Sequence, residues 1–252
     1  MGMSPIRPPE LNIQLKKQKA LDFFVKELLK PETRKSIAKI VLFGSLLKGE
    51  PKEESDIDLL VITTDSSTEI SNACADASFE TAMATGESVE PLVRCVDDIR
   101  YPQSYFLYSV IGRGKEIYRM DGEELRRKEA RNYLNLSSEY LDGARANSQR
   151  GYFRIAVDAA YNACELAIKG LLLLRLPDIP GSHGGIVNKF GELYVKAGDV
   201  PKEMGRGINL ALEKRNNARY EPHVQISKDQ AEEIIDLGEK LQGILEKKIV
   251  ES

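Results

Sequence analysis

At 252 residues with 42% hydrophobic side chains, the chain is long enough for one large domain or two of ordinary size, each with its own core. A formal net charge of -3 removes the case for a broad polyanion-binding surface and leaves room for local basic sites alone. No run of about eighteen apolar residues occurs, and Met1 to Leu11 has prolines where a signal peptide carries its apolar core, so a cytoplasmic protein without membrane contact is expected. Cys74, Cys95 and Cys164 lie far apart with no Cys-x-x-Cys pair, and with only His183 and His223 beside them they cannot form an ordinary structural zinc site. They read as buried, reduced thiols.

In chain order, Ser4-Pro5-Ile6-Arg7-Pro8-Pro9 reads as an extended tail, followed by a helix from about Leu11 to Leu29 that Pro31 stops. The apolar run ending at Phe43 predicts a buried strand near 38–43, and Gly44-Ser45 a sharp turn into a short helix, Leu46 to Lys48. Backbone N–H groups at such a turn face a phosphate. Gly44 lets the backbone approach a triphosphate with no Cβ in the way, and the Ser45 hydroxyl can donate one more hydrogen bond to the same oxygens. Lys48 can neutralise the triphosphate, although beside Glu50, Lys52 and Glu53 it also reads as a solvated loop charge.

Asp56-Ile57-Asp58 opens the next strand, near 57–63. A period of two sends both aspartates to one face, and the apolar run Leu59 to Ile62 places them at the solvent-facing start of a buried strand. Two hard carboxylates side by side suit magnesium. Ser67 can cap a helix from Glu69 to about Met83, after which 88–96 reads as a strand, Pro102 to Ile111 as a helix and 115–119 as a last short strand. Pro91 is awkward in a central strand and predicts an edge position or a bulge.

From Asp121 onward the strand signals vanish. Helical periodicity predicts helices near 123–148, 150–175, 186–197, 202–219 and 228–248, a bundle that forms a second domain. The boundary falls between Met120 and Glu124, giving domains 1–120 and 121–252 in an α+β chain: a mixed sheet flanked by helices, then an all-α bundle. Gly181-Ser182-His183-Gly184-Gly185 follows no strand and reads as a flexible connector rather than a phosphate loop.

The order strand, Phe43-Gly44-Ser45-Leu46-Leu47-Lys48-Gly49, then Ser55-Asp56-Ile57-Asp58 resembles the nucleotidyltransferase superfamily typified by DNA polymerase beta, in its minimal form, over about residues 36–118. The resemblance implies a third carboxylate on a later strand beside the first two. Val89 to Val96 is the strand-like run in the right place, and Glu90 is its acid. Glu87 and the Asp97-Asp98 pair are the rivals. Also implied are two Mg2+ ions on Asp56, Asp58 and Glu90, triphosphate binding by Gly44, Ser45 and Lys48, ATP as the default donor, and an unidentified hydroxyl acceptor that is a small molecule or a protein.

The helical half resembles the HEPN family, whose members occur beside or fused to such enzymes and tend to pair, so a homodimer is expected. Its ribonuclease members carry an arginine, usually followed by asparagine, with a histidine four to six residues further on. Arg215-Asn216 matches the first half of that motif, Tyr220 occupies the place of the histidine, and His223 follows Pro222 at too long a spacing. RNA is therefore not the favoured partner. Arg215 and Arg219, at i and i+4, form with Tyr220 a candidate notch for a phosphate or an acceptor; the plainer reading is a surface ion pair and a half-buried aromatic. Three functions stay open: an active nucleotidyltransferase whose helical half supplies the acceptor pocket, a toxin–antitoxin-like module, and a nucleotide-binding protein without turnover.

Overall fold

The structure, a computed structural model, describes residues 8–65, 68–100 and 104–251. Ser67 as a helix cap, Pro102 as a helix start and the tail before Pro8 lie outside them. The chain divides into two compact units, Met1–Asp121 and Gly122–Ser252.

The first unit opens with helix α1, Pro8–Leu28, which takes in Pro8 and Pro9 from the expected tail, since proline suits a first helical turn. A short helix α2, Pro31–Arg34, follows. Then come β1 (Ile37–Leu42), α3 (Gly44–Lys48), β2 (Ile57–Thr63), α4 (Thr68–Thr85), β3 (Val89–Cys95), α5 (Val96–Arg100), α6 (Tyr105–Arg113) and β4 (Lys115–Arg119). The sheet order is β3-β2-β1-β4; β1 runs antiparallel to both its neighbours and β2 parallel to β3. Edge position accounts for Pro91 in β3, because an edge strand has one side on which no amide is required.

Alternation along β2 decides what the sheet does. Ile57, Leu59 and Val61 join Ile40, Leu42 and Val89 in a core closed by Ala20, Leu21, Phe24 and Leu28 of α1 and Ile70, Cys74 and Ala77 of α4. Asp58, Leu60 and Ile62 must then point to the opposite face. Burial pushes the Cys74 thiol up to about 12, as expected of an inert core cysteine.

One charge sits under α1. Lys17 is 1% exposed and pairs at 2.6 Å with Glu87, itself 6% exposed. Lys16 reaches the other Glu87 oxygen at 2.9 Å from the surface. Burial favours the protonated Glu87, but the hydrogen bonds and charges of the two lysines outweigh it and hold the carboxyl below its ordinary range.

The second unit is helical: α7 (Gly122–Gln149), α8 (Phe153–Leu173), α9 (His183–Phe190) continued by a π turn (Gly191–Val195), α10 (Lys202–Tyr220) and α11 (Lys228–Glu251). α8 is the central element, burying Ala156, Ala160, Ala163 and Ala167 with Ile168 and Leu171. Small residues let the helices close on one another: a Cβ on Gly170 of α8 would stand 2.7 Å from Leu245 of α11, and one on Gly238 of α11 2.9 Å from Leu141 of α7. The connector expected over Gly181–Gly185 is half helix instead. Ser182 caps α9 by accepting the Gly185 N–H at 3.1 Å, so His183 lies inside the first turn. Among the described residues no helix is long and apolar enough to cross a membrane.

Removing one member of a buried ion pair leaves the other uncompensated, so Lys17→Ala is expected to cost about 3 kcal/mol, the low end for such a loss because Lys16 remains. Urea unfolding measures it; a cost within error of zero would mean that Glu87 is served by Lys16 alone.

Candidate active site

The turn after β1 is built against Asp58. The Phe43 N–H donates to the Asp58 carbonyl at 3.1 Å, and Gly44 follows with φ +75, the left-handed region that glycine tolerates. A Cβ on Gly44 would lie 1.8 Å from Asp58 Oδ2. Glycine is thus demanded by the aspartate itself, in addition to any ligand. The helix α3 begins at Gly44 rather than Leu46, buries Leu46, and ends at Gly49, also left-handed with φ 76. Ser45 is half-buried at its first turn, and Lys48 is exposed in solvent.

Parallel register sets Asp58 opposite Glu90, Leu60 opposite Leu92 and Ile62 opposite Arg94. Asp58 and Glu90 therefore share the sheet face away from the core. Both line an open cavity of about 780 Å³ with Phe43, Arg94 and Phe106. Phe106 meets Phe43 edge-on, ring centroids 5.6 Å apart, and forms an aromatic wall beside the acids. Asp56 stands one residue before β2, where the Ile57 N–H donates to the Ser88 carbonyl at 3.0 Å and joins the two strand starts.

Partial burial raises the proton affinity of Asp58, and the charges of Glu90 and Asp56 raise it further. Among the described residues none of the three acids is paired with a lysine or arginine. The rivals for the third position are otherwise engaged: Glu87 holds the two lysines, Asp98 accepts the Cys95 N–H at 3.2 Å, and Asp97 lies 3.8 Å from Arg100. Among the described residues no three His, Cys, Asp or Glu side chains are drawn together tightly enough to form a metal cluster. The donor set nonetheless fits a hard divalent cation, being all carboxylate, uncompensated and on an open face.

In the helical unit the expected notch is filled by an acid. Asp158 of α8 accepts a hydrogen bond from Arg215 Nε at 3.2 Å and one from Arg219 Nη2 at 3.1 Å. Two guanidinium groups on one carboxylate leave a net positive charge there. Arg215 is buried and lies over the Tyr161 ring at 5.7 Å, while Tyr220 is exposed. Tyr161 also meets the His183 ring, centroids 6.4 Å apart, and His183 Nδ1 pairs with Glu165, which also holds Lys169 at 2.8 Å. Burial, with Glu165 adding to it, pushes the Tyr161 hydroxyl up to about 12. His223 is exposed beside Glu221. Sequence reasoning missed Asp158, Tyr161, Glu165 and His183. For the first three the signal was their three- and four-residue spacing along α8.

Residues 25–123 match the family model "Polymerase beta, Nucleotidyltransferase", and residues 130–248 match the model "HEPN domain". A candidate toxin of Methanocaldococcus jannaschii is 25% identical over 116 residues, 46% of this chain and 78% of that protein. A UPF0332 protein of Thermotoga maritima is 28% identical over 111 residues, 44% of this chain and 83% of its own length. Among solved structures, a spectinomycin adenyltransferase of Enterococcus faecialis, crystallised with ATP and spectinomycin, is 16% identical, with a TM-score of 0.30, covering 91% of this chain and 99% of that one.

A carboxyl whose folded pKa is raised subtracts stability as pH climbs through its unfolded value, so at neutral pH Asp58 opposes folding. Asp58→Asn is therefore expected to raise Tm by about 2 °C in EDTA at pH 7, a value already reduced for solvent screening. The gain should vanish near pH 3. A fall in Tm at both pH values would make Asp58 a stabilising structural acid.

Proposed function

Because the chain joins a polymerase-beta-type nucleotidyltransferase domain to a HEPN domain, we propose that it transfers a nucleoside monophosphate, AMP from ATP as the default donor, to a hydroxyl acceptor. The observation that carries this reading is the pairing of Asp58 with Glu90 across β2 and β3, with the Asp58 carboxylate packed on the Gly44-Ser45 turn. One turn thereby serves two groups. Its amides and the Ser45 hydroxyl bind phosphate oxygens, and its glycine admits the acid that holds the cation.

Asp56, Asp58 and Glu90 would hold magnesium, which when bound neutralises charge on the transferring phosphate and makes the acceptor hydroxyl easier to ionise. The acceptor oxygen attacks the α-phosphorus in line with the bridging oxygen to the β-phosphate. One phosphorus–oxygen bond forms, the bridging bond breaks, and pyrophosphate leaves with that electron pair. The hydroxyl proton passes to a carboxylate of the cluster. Phe106 and Phe43 offer an apolar wall to a flat base, and Arg94 a cation to a phosphate.

Incubation with each labelled nucleoside triphosphate and magnesium, scoring pyrophosphate release and self-labelling, tests the reading. Asp58→Asn and Glu90→Gln should each lower turnover by at least about a hundredfold with the fold intact. Turnover of either variant near that of the unaltered chain would remove that residue from the site.

A toxin–antitoxin-like module is the second reading. It is favoured by the name of the M. jannaschii relative and by the contact chain from Arg215 through Tyr161 to His183, which brings a histidine from α9 toward the arginine. Against it, Asp158 occupies both arginines, and Tyr220 puts a phenol where an imidazole would serve as acid and base. Mixed tRNA and mRNA incubated with the purified chain should remain intact. Fragmentation lost in both Arg215→Ala and His183→Ala would reverse the ranking of the two readings.

A further inference from the structure

α1 packs on the core through Ala20, Leu21, Phe24 and Leu28, so an ammonium group on the same helix at 1% exposure needs a physical reason. Lys17 has three donors, and three acceptors meet them: Glu87 Oε2 at 2.6 Å, the Ser55 carbonyl at 2.5 Å and the Glu53 carbonyl at 3.3 Å. These acceptors lie at the two places from which the acids issue. The Ser55 carbonyl belongs to the peptide bond that leads into Asp56, and Glu87 precedes the start of β3, the strand that carries Glu90.

Asp56 lies outside β2, so the strand ladder does not hold it. Three carboxylates of like charge, with no described cation paired to them, favour moving apart. Bonds from one buried ammonium to both segments oppose that spread. Lys17 touches none of the three acids, and its action on them runs through the backbone.

We infer that Lys17 is a positioning residue for the acidic site: its buried ammonium ties the segment leading into Asp56 to the segment leading into Glu90. The inference rests on the reading that Asp56, Asp58 and Glu90 hold a divalent cation. The tie predicts a defect in metal affinity and kcat, with the KM for triphosphate unchanged, because no bond from Lys17 reaches the Gly44-Ser45 turn.

The test is manganese(II) binding to the full chain, followed by electron paramagnetic resonance, with Asp58→Asn identifying the site. The double variant Lys17→Met, Glu87→Gln removes both buried charges together and so leaves neither orphaned. It is expected to stay folded by circular dichroism and to bind manganese about tenfold more weakly, the scale on which groups that orient metal ligands act. Lys16→Met, on the exposed lysine, should bind as the unaltered chain does. A folded double variant with unaltered manganese affinity overturns the inference, as does an unaltered chain that binds no manganese. If the double variant does not fold, Glu87→Gln alone is read instead; it removes the charged anchor and leaves the two carbonyl bonds. Severalfold weaker binding supports the tie, and unchanged binding overturns it. Manganese binding that depends on Lys17, in a chain releasing no pyrophosphate from any triphosphate, would sink the nucleotidyl-transfer reading and leave the tie standing.

Discussion

The parallel register between β2 and β3 is the constraint from which the candidate site follows. With Ile57 set against Val89, Leu59 against Pro91 and Val61 against Val93, the apolar residues of β2 enter the core under α1 and α4. Asp58 and Glu90 are then forced together on the open face. A slip of one residue would send the aspartate into the core and a leucine to the surface, so burial of the apolar face enforces the pairing of the acids. Fold and candidate chemistry depend on the same register.

Charge is handled differently in the two units. Beside Gly44 the acids are left without a described lysine or arginine partner, and their mutual repulsion with partial burial raises the proton affinity of Asp58. Behind the sheet the opposite holds, since Lys17 and Glu87 satisfy one another out of reach of solvent and connect α1 to both strand starts. In the helical unit Asp158 gathers Arg215 and Arg219, and Arg154, from the same helix, donates to the Asn217, Ala218, Glu221 and Pro222 carbonyls at the end of α10. That end of α10 is thereby held against α8 by charge-assisted hydrogen bonds, and Tyr220 stays exposed at its last turn.

Much of the first unit was legible because its signals are local. Apolar runs near 40 and 60, the Gly-Ser turn and the Asp-x-Asp step each lie within a few residues, and Pro91 pointed to an edge position or a bulge, of which the structure shows the edge. Glu90 is implied by the family resemblance, as the acid of the strand-like run 89–96, and the structure sets it opposite Asp58. What stayed hidden depends on contacts between distant segments: Lys17 and Glu87 are 70 positions apart, and Arg215 and Asp158 are 57 apart. In the sequence Glu87 was a rival for the third carboxylate, and Arg215 and Arg219 read either as a basic notch or as a surface ion pair. The second reason for Gly44, the Asp58 carboxylate against its Cα, appears only when both strands are in place. His183 was misjudged because glycines on both sides suggest a loop, whereas the Ser182 hydroxyl caps a helix there.

The central claim is that one face of the sheet holds a divalent cation on Asp58 and Glu90, with a triphosphate on the Gly44-Ser45 turn. Crystals of the full chain soaked with manganese and a non-hydrolysable ATP analogue test it most directly, through the anomalous signal of the ion. The account predicts a manganese peak within coordination distance of both carboxylates, with the analogue's phosphates on the Gly44 and Ser45 amides. A manganese peak elsewhere, or phosphates bound away from that turn, would contradict it.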